Sequence, residues 1–299
     1  MYPFELEERT AEDAAAPGYD GLYHGSAVSR YWDDDFLDFV RSEYEPGDRV
    51  LDVGCGPGSN WPQWMQLETP DRLVGVDLSQ GMIDEARRRH PSGSFEVARI
   101  HDLPFPDGSF DVVIASAVLH HIPDEHLEAA FAELHRVLDE HGRIVGREPN
   151  AKPWGQEPGW FSGAIMTFRH LAYRLTRSRE YPEPELGEHH RQFEAESFLS
   201  LLNERMPISR VEQRFAFSHY LLRVRSRPVA AFARRMDERL RDRTGAMFYY
   251  VANKNYATRE DLERVIEAAR EAHGISDAEF LAYLEVAARE LERTFGEGA

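Results

Sequence analysis

Short apolar runs recur through the first half of the chain. Between them the apolar residues fall three and four apart. Val50-Leu51-Asp52-Val53, Leu73-Val74-Gly75-Val76, Phe95–Ala98, Phe110–Ala115 and Arg143–Gly146 have the length and β-branched content of buried strands. Tyr31–Tyr44 spaces Phe36, Leu37, Phe39 and Val40 as a helix does and ends at Pro46-Gly47. Asn60–Leu67 predicts a short helix with Trp61, Trp64 and Met65 on its apolar face, and Pro62 is tolerated only in a first turn. Ser79 caps a helix to about His90. Asp124 caps another to about Leu138, with Gly142 stopping it. Strands alternating with helices predict a parallel sheet with right-handed crossovers.

After residue 150 the rhythm breaks. Residues 151–190 mix tryptophans, arginines and prolines. Glu194–Asn203 predicts a helix and Arg210–Phe217 an edge strand. Tyr220–Arg243 predicts one or two helices with Leu221, Leu222, Val229, Phe232, Ala233, Met236 and Leu240 inward. Met247–Val251 predicts a late strand, rich in aromatic and β-branched residues. Thr258–Gly274 and Ser276–Phe295 read as amphipathic, acidic helices. Residues 1–30 predict a loosely held arm whose Tyr19, Tyr23 and His24 fold back over the rest. The expected organisation is an arm (1–30), one α/β domain (31–256) with insertions at about 151–190 and 218–244, and a helical extension (257–299).

Composition narrows the function classes. The chain has 299 residues and a formal net charge of −18, so general affinity for nucleic acid or an anionic membrane is disfavoured. Its single cysteine, Cys55, supports neither a disulfide framework nor a cysteine metal site. The acidic first residues lack the pattern of a signal peptide. No apolar run approaches the roughly 20 residues that span a bilayer. These features predict a soluble cytoplasmic protein with no integral membrane association.

The chemistry concentrates where the first run ends. Gly54 and Gly56 let backbone approach a ligand where a side chain would collide, and Gly58 allows close helix packing. Asp52 closes the first run and can accept from an ammonium group or from loop amides. Asp77 closes the second and can accept both hydroxyls of a ribose. A pyrophosphate site wants Gly-x-Gly-x-x-Gly, but Ser59 stands at the last position. A carboxylate just ahead of the turn suits a cofactor with a cationic amino-acid end. The spacing therefore favours S-adenosylmethionine over a dinucleotide.

VLDVGCGPG, VGVDLS, LPFPDGSFDVVIASAVLHHI and LHRVLDEHGRIVGREPN resemble the successive motifs of class I S-adenosylmethionine-dependent methyltransferases, nearest the branch with many small-molecule and quinone methyltransferases. The resemblance implies a Rossmann-like, seven-stranded, mostly parallel sheet with helical insertions and a helical C-terminal extension. It implies that Asp52, Gly54, Cys55, Gly56 and Gly58 line the methionine end of the cofactor, that Asp77 holds the ribose and that Leu78 packs on the adenine. Ile100 and His101 would cover the adenine edge, Ala115 and Ser116 would lie beside the sulfonium, and Tyr19 would close over the site. One departure is Arg99, which stands where the family usually has an acidic residue and cannot accept a hydrogen bond. Either backbone groups or Asp102 replace it, or the adenine site is weaker here.

Methyl transfer to a hydroxyl is helped by a base, and His suits neutral pH. His120 and His121 follow the fourth run directly, His120 being slightly favoured; either could instead pack the loop. Glu148 and Asn150 are further candidates to touch an acceptor. No metal site is expected at His189-His190, which lack a third ligand at helical spacing. Arginines crowd the two insertions, at Arg169, Arg174, Arg177 and Arg179 and again from Arg223 to Arg243. They suggest a lid for an anionic or amphiphilic small-molecule acceptor, or simply solvated helix faces. The terminal helices offer a homodimer surface or a cover for the sheet. Two other readings stand beside the methyltransferase: a catalytically silent cofactor-binding scaffold, and an NAD(P)-dependent oxidoreductase, which Ser59 and the lack of a convincing Tyr-x-x-x-Lys pair disfavour.

Overall fold

The structure, a computed structural model, describes residues 3–19, 27–151, 192–215, 227–240 and 245–255. Seven strands form one sheet: β1 (Val50–Val53), β2 (Leu73–Asp77), β3 (Ser94–Val97), β4 (Phe110–Ser116), β5 (Leu138–Pro149), β6 (Ile208–Arg214) and β7 (Met247–Asn253), in the order β3-β2-β1-β4-β5-β7-β6. The first five run parallel. β7 inserts antiparallel between β5 and the edge strand β6. The helices among the described residues are α1 (Pro3–Ala15), α2 (Ala27–Glu43), α3 (Trp61–Trp64), α4 (Gln80–Arg89), α5 (Asp124–Val137), α6 (Ala195–Asn203) and α7 (Arg227–Leu240). The apolar runs predicted a parallel sheet and the motif resemblance a seven-stranded Rossmann-like one, and this sheet agrees with both.

Period-two alternation sends each strand's side chains to opposite faces. Leu51, Val53, Val113, Ala115, Ile144, Phe248 and Tyr250 pack with α5 and α6 on one face. Val50, Val112, Ile114, Val145, Tyr249 and Val251 pack with α2, α4 and the two tryptophans of α3 on the other. Both faces are covered, which is why the central strands read as continuous apolar runs. Among the described residues no helix is long and apolar enough to cross a membrane.

Several boundaries differ from the sequence expectation. The arm is not loose: residues 3–15 are helical. The helix expected over Asn60–Leu67 shrinks to Trp61–Trp64, and Met65 is exposed while Trp61 and Trp64 are buried. Ser79 caps α4 as expected, its hydroxyl accepting from Met82 N–H at 3.0 Å. Asp124 instead opens α5 as its first residue, behind Pro123 at the N-cap position. Gly142 stops no helix; it lies inside β5, which starts at Leu138 directly after α5. In α7, Ala233 and Asp237, four apart, face inward, and Phe232, one residue round, is exposed. Residues 152–190, 218–226 and 241–244 of the two expected insertions, and the segment 257–299, lie outside the described residues. So do Tyr23, His24, Leu221, Leu222, His189 and His190.

Candidate active site

A crevice opens at the carboxyl ends of β1, β2 and β4, where open parallel sheets bind ligands. Its wall includes Val53, Gly54, Gly56, Asp77, Leu78, Ile100, His101, Ser116 and His121. Tyr19 and three glutamates of α1 roof it.

The floor is the turn after β1. Gly54, Gly56 and Gly58 have φ of +67°, +53° and +73°, the left-handed region that favours glycine. A Cβ on Gly54 would fall 2.3 Å from Val118 Cγ2. A Cβ on Gly56 would meet nothing nearer than Tyr19 Cε1 at 4.0 Å, so this peptide faces open space. Asp77 ties the turn down, its two oxygens accepting from Gly56 N–H and Ser79 N–H, each at 2.9 Å. Burial raises the pKa of Asp77, and these two amides hold it down in part. Each of its oxygens keeps a lone pair for a ligand hydroxyl.

Asp52 lies elsewhere. Strand parity puts it on the face of Val50, where Trp64 Nε1 donates to its Oδ2 at 3.0 Å. Burial pushes its pKa up to about 7. It braces the turn from behind and is not in the crevice wall; nor are Cys55, Gly58, Ala115 and His120. Gly58 packs on α4, its carbonyl 2.9 Å from His90 Nε2.

The turn after β4 forms the third side. Ala117 adopts φ +54°, unusual for a residue with a Cβ. Glu148, at the end of β5, accepts from the backbone N–H of Leu119 at 2.8 Å and of Val118 at 3.2 Å, and sits 2.7 Å from His120 Nδ1. Burial raises Glu148 to about 7. Glu148 and His120 thus hold the turn from inside, and Asn150 is also buried, donating to Gly245 O. None of the three faces the crevice, although the sequence marked all of them for an acceptor. His121 does face it. Its Nδ1 is 2.7 Å from Glu8 of α1. Burial alone would lower the His121 pKa; the contact with Glu8 together with the charges of Glu8, Glu12 and Glu148 outweighs this and raises it.

The sequence reading missed the carboxylates of α1. Glu5, Glu8 and Glu12 recur at helical spacing and present one face to the crevice. Asp13 accepts from Ser79 Oγ at 2.6 Å and Gly81 N–H at 2.8 Å, clamping α1 on the N-terminus of α4. Glu12 is raised to about 7 by burial and by the nearby charge of Asp77. The three-and-four spacing of acidic residues was the available signal; an apolar-period search passes over it.

Residues 50–142 match a family described as a methyltransferase domain. A demethylmenaquinone methyltransferase of Symbiobacterium thermophilum is 30% identical over 165 residues, covering 52% of this chain and 64% of that one. A malonyl-[acyl-carrier protein] O-methyltransferase of Serratia marcescens is 37% identical over 100 residues, 33% of this chain and 38% of that one. The chain therefore spans less than two thirds of the length of these relatives. The crystal structure of the [4+2]-cyclase SpnF matches with a TM-score of 0.57 at 18% identity, covering 85% of this chain and 97% of that one, which shows a shared fold.

Proposed function

Because residues 50–142 match a methyltransferase-domain family, we propose that the whole protein is a cytoplasmic enzyme of the class I kind that transfers a methyl group from S-adenosylmethionine to a small organic acceptor, at oxygen. The observation that carries this reading is the pairing of Gly56 and Asp77. A peptide facing open space lies beside a carboxylate whose remaining lone pairs suit a ribose. That crevice fits an adenosyl group: it has a glycine floor, Leu78 and Ile100 as apolar walls, and carboxylates for a cationic ligand.

Gly54, Gly56 and Asp77 would hold the cofactor, with Tyr19 over the glycine turn. The cofactor supplies an electrophilic methyl group on a sulfonium. The protein's part is alignment and exclusion of water. His121, its Nδ1 beside Glu8, is the residue we assign to remove the acceptor's proton, because the Glu8 carboxylate stabilises its charged form. The O-methyltransferase relative supports oxygen as the acceptor atom. The arginines of residues 169–179 and 223–243 support an anionic or amphiphilic acceptor.

Calorimetry with S-adenosylmethionine, S-adenosylhomocysteine and NAD, followed by turnover on a panel of hydroxylated and carboxylated acceptors, tests the reading. Binding of the first two but not NAD, with methylated product, is the expected result. Tight NAD binding, or cofactor binding with no turnover on any acceptor, rejects it.

A further inference from the structure

Helix α1 crosses the crevice in a defined order. Asp13 grips the start of α4 beside Asp77, Glu8 meets His121, and Glu5 reaches the far end at Arg99 and His101. With the ribose on Asp77, that far end is where a nucleobase sits. The groups there are mostly donors. Arg99 and His101 lie 3.7 and 3.4 Å from the same oxygen, Glu5 Oε1. Glu5 has only 3% of its side chain exposed and lines the crevice, whereas the neighbouring Asp102 is 77% exposed and is not in the wall.

We propose that Glu5, carried in from the N-terminal helix, is the residue that reads the base of the cofactor, accepting a hydrogen bond from the exocyclic amino group of adenine. This rests on the methyltransferase reading above. A carboxylate only accepts, so it pairs with an amine and repels a carbonyl oxygen. Arg99 at 3.7 Å and His101 at 3.4 Å flank the carboxylate at this end of the crevice. The side chains at the strand ends offer the base mostly donors; the helix adds a carboxylate acceptor. Base recognition and roof closure are then one event, since the reading group leaves with the helix.

The test compares S-adenosylhomocysteine with S-inosylhomocysteine, in which a carbonyl replaces the amine, by calorimetry on the full chain. The parent protein should bind the adenosyl ligand at least ten-fold more tightly, about 1.4 kcal/mol or more. In Glu5→Ala, the freed Arg99 and His101 donors favour the carbonyl, and the ratio should fall to parity or below. Glu5→Gln, whose amide can donate as well as accept, should raise the affinity for the inosyl ligand above that of the parent. Loss of packing alone would not produce that gain. Glu8→Gln, which loosens α1 and Glu5 with it, should weaken the adenosyl ligand more than the inosyl one. A ratio in Glu5→Ala equal to the parent's, or equal binding of the two ligands by the parent, overturns the assignment of Glu5. Failure of the parent to bind either ligand overturns the methyltransferase reading, and the role of Glu5 with it.

Discussion

Alanine at Gly54 and at Gly56 separates what the glycine turn does for the fold from what it does for a ligand. Both residues sit at positive φ, so each substitution costs about 1–2 kcal/mol in backbone strain. At Gly56 the added methyl group meets only Tyr19 Cε1 at 4.0 Å, and nothing more is lost in the free protein. At Gly54 it would lie 2.3 and 2.7 Å from Val118 Cγ2 and Cβ, so the turn after β4 must shift. Overpacking of that kind adds about 1–3 kcal/mol. Gly54→Ala should therefore lose about 2–5 kcal/mol and Gly56→Ala about 1–2. At about 2–4 °C per kcal/mol for a domain of this size, Gly56→Ala should melt about 2–8 °C below the parent and Gly54→Ala lower still. Affinity should follow a different order. The methyl group on Gly56 stands in the crevice, where it should weaken S-adenosylhomocysteine at least ten-fold, about 1.4 kcal/mol. Differential scanning fluorimetry of the free protein and calorimetry with the ligand read the two effects separately. A Gly56→Ala protein with the parent's affinity would show that the ligand does not lie on this turn.

Three further outcomes follow from the same geometry. Asp77→Asn leaves one acceptor oxygen for two backbone amides and turns an NH2 group toward one of them, so cofactor affinity should fall at least ten-fold by calorimetry; undiminished affinity would remove Asp77 from the site. Stability should be greater at pH 5.5 than at pH 8 in urea titrations. Asp52, Glu148 and Glu12, raised to about 7 by burial, and His121, raised by Glu8, all bind protons more tightly folded than unfolded. Their contribution is complete below the unfolded values and is lost as pH rises through the folded ones. His135, lowered by burial, opposes them, while Glu68 and Glu85, lowered to about 2, stay ionised in both states across this window. A urea midpoint that rises from pH 5.5 to 8 would contradict the balance. Finally, Glu8→Gln should move the acid limb of the kcat/KM–pH profile to lower pH, because His121 loses the partner that raises its pKa; an unmoved limb would exclude His121 as the base.

The apolar runs alone led to the sheet, because covering both faces leaves the central strands no polar positions except at their ends. The ends are also where the legible chemistry lay: Asp77 closes β2 and does face the crevice. Asp52 shows the limit of reading a carboxylate near a strand tip as a ligand. Val53 follows it, so Asp52 still obeys the alternation and falls on the face of Val50, where an indole N–H from α3 awaits it. Neighbouring histidines part in the same way. Two successive residues in the tight turn Leu119–His121 diverge, so His120 meets Glu148 inside and His121 meets Glu8 outside, a division the doublet itself does not encode.

Helix α1 was illegible for a different reason. A search for apolar periodicity finds helices that bury carbon, and Leu6 is exposed while the inner face of α1 is Glu5, Glu8 and Glu12. The helix is held by charge-assisted bonds to Ser79 and Gly81 and by the Glu8–His121 ion pair, groups from two separate stretches of the chain. Such contacts are pairwise, so no single segment carries their signature. They also make the roof responsive to what lies beneath it. Glu12 stands near Asp77, and burying the two together raises the pKa of Glu12 to about 7. A cation entering between them relieves that repulsion, and a neutral ligand does not. An acidic roof over an acidic strand tip is thus costly when empty and settled by a positively charged occupant. An adenosyl sulfonium meets that requirement, and the demethylated product, having lost the sulfonium charge, meets it less well.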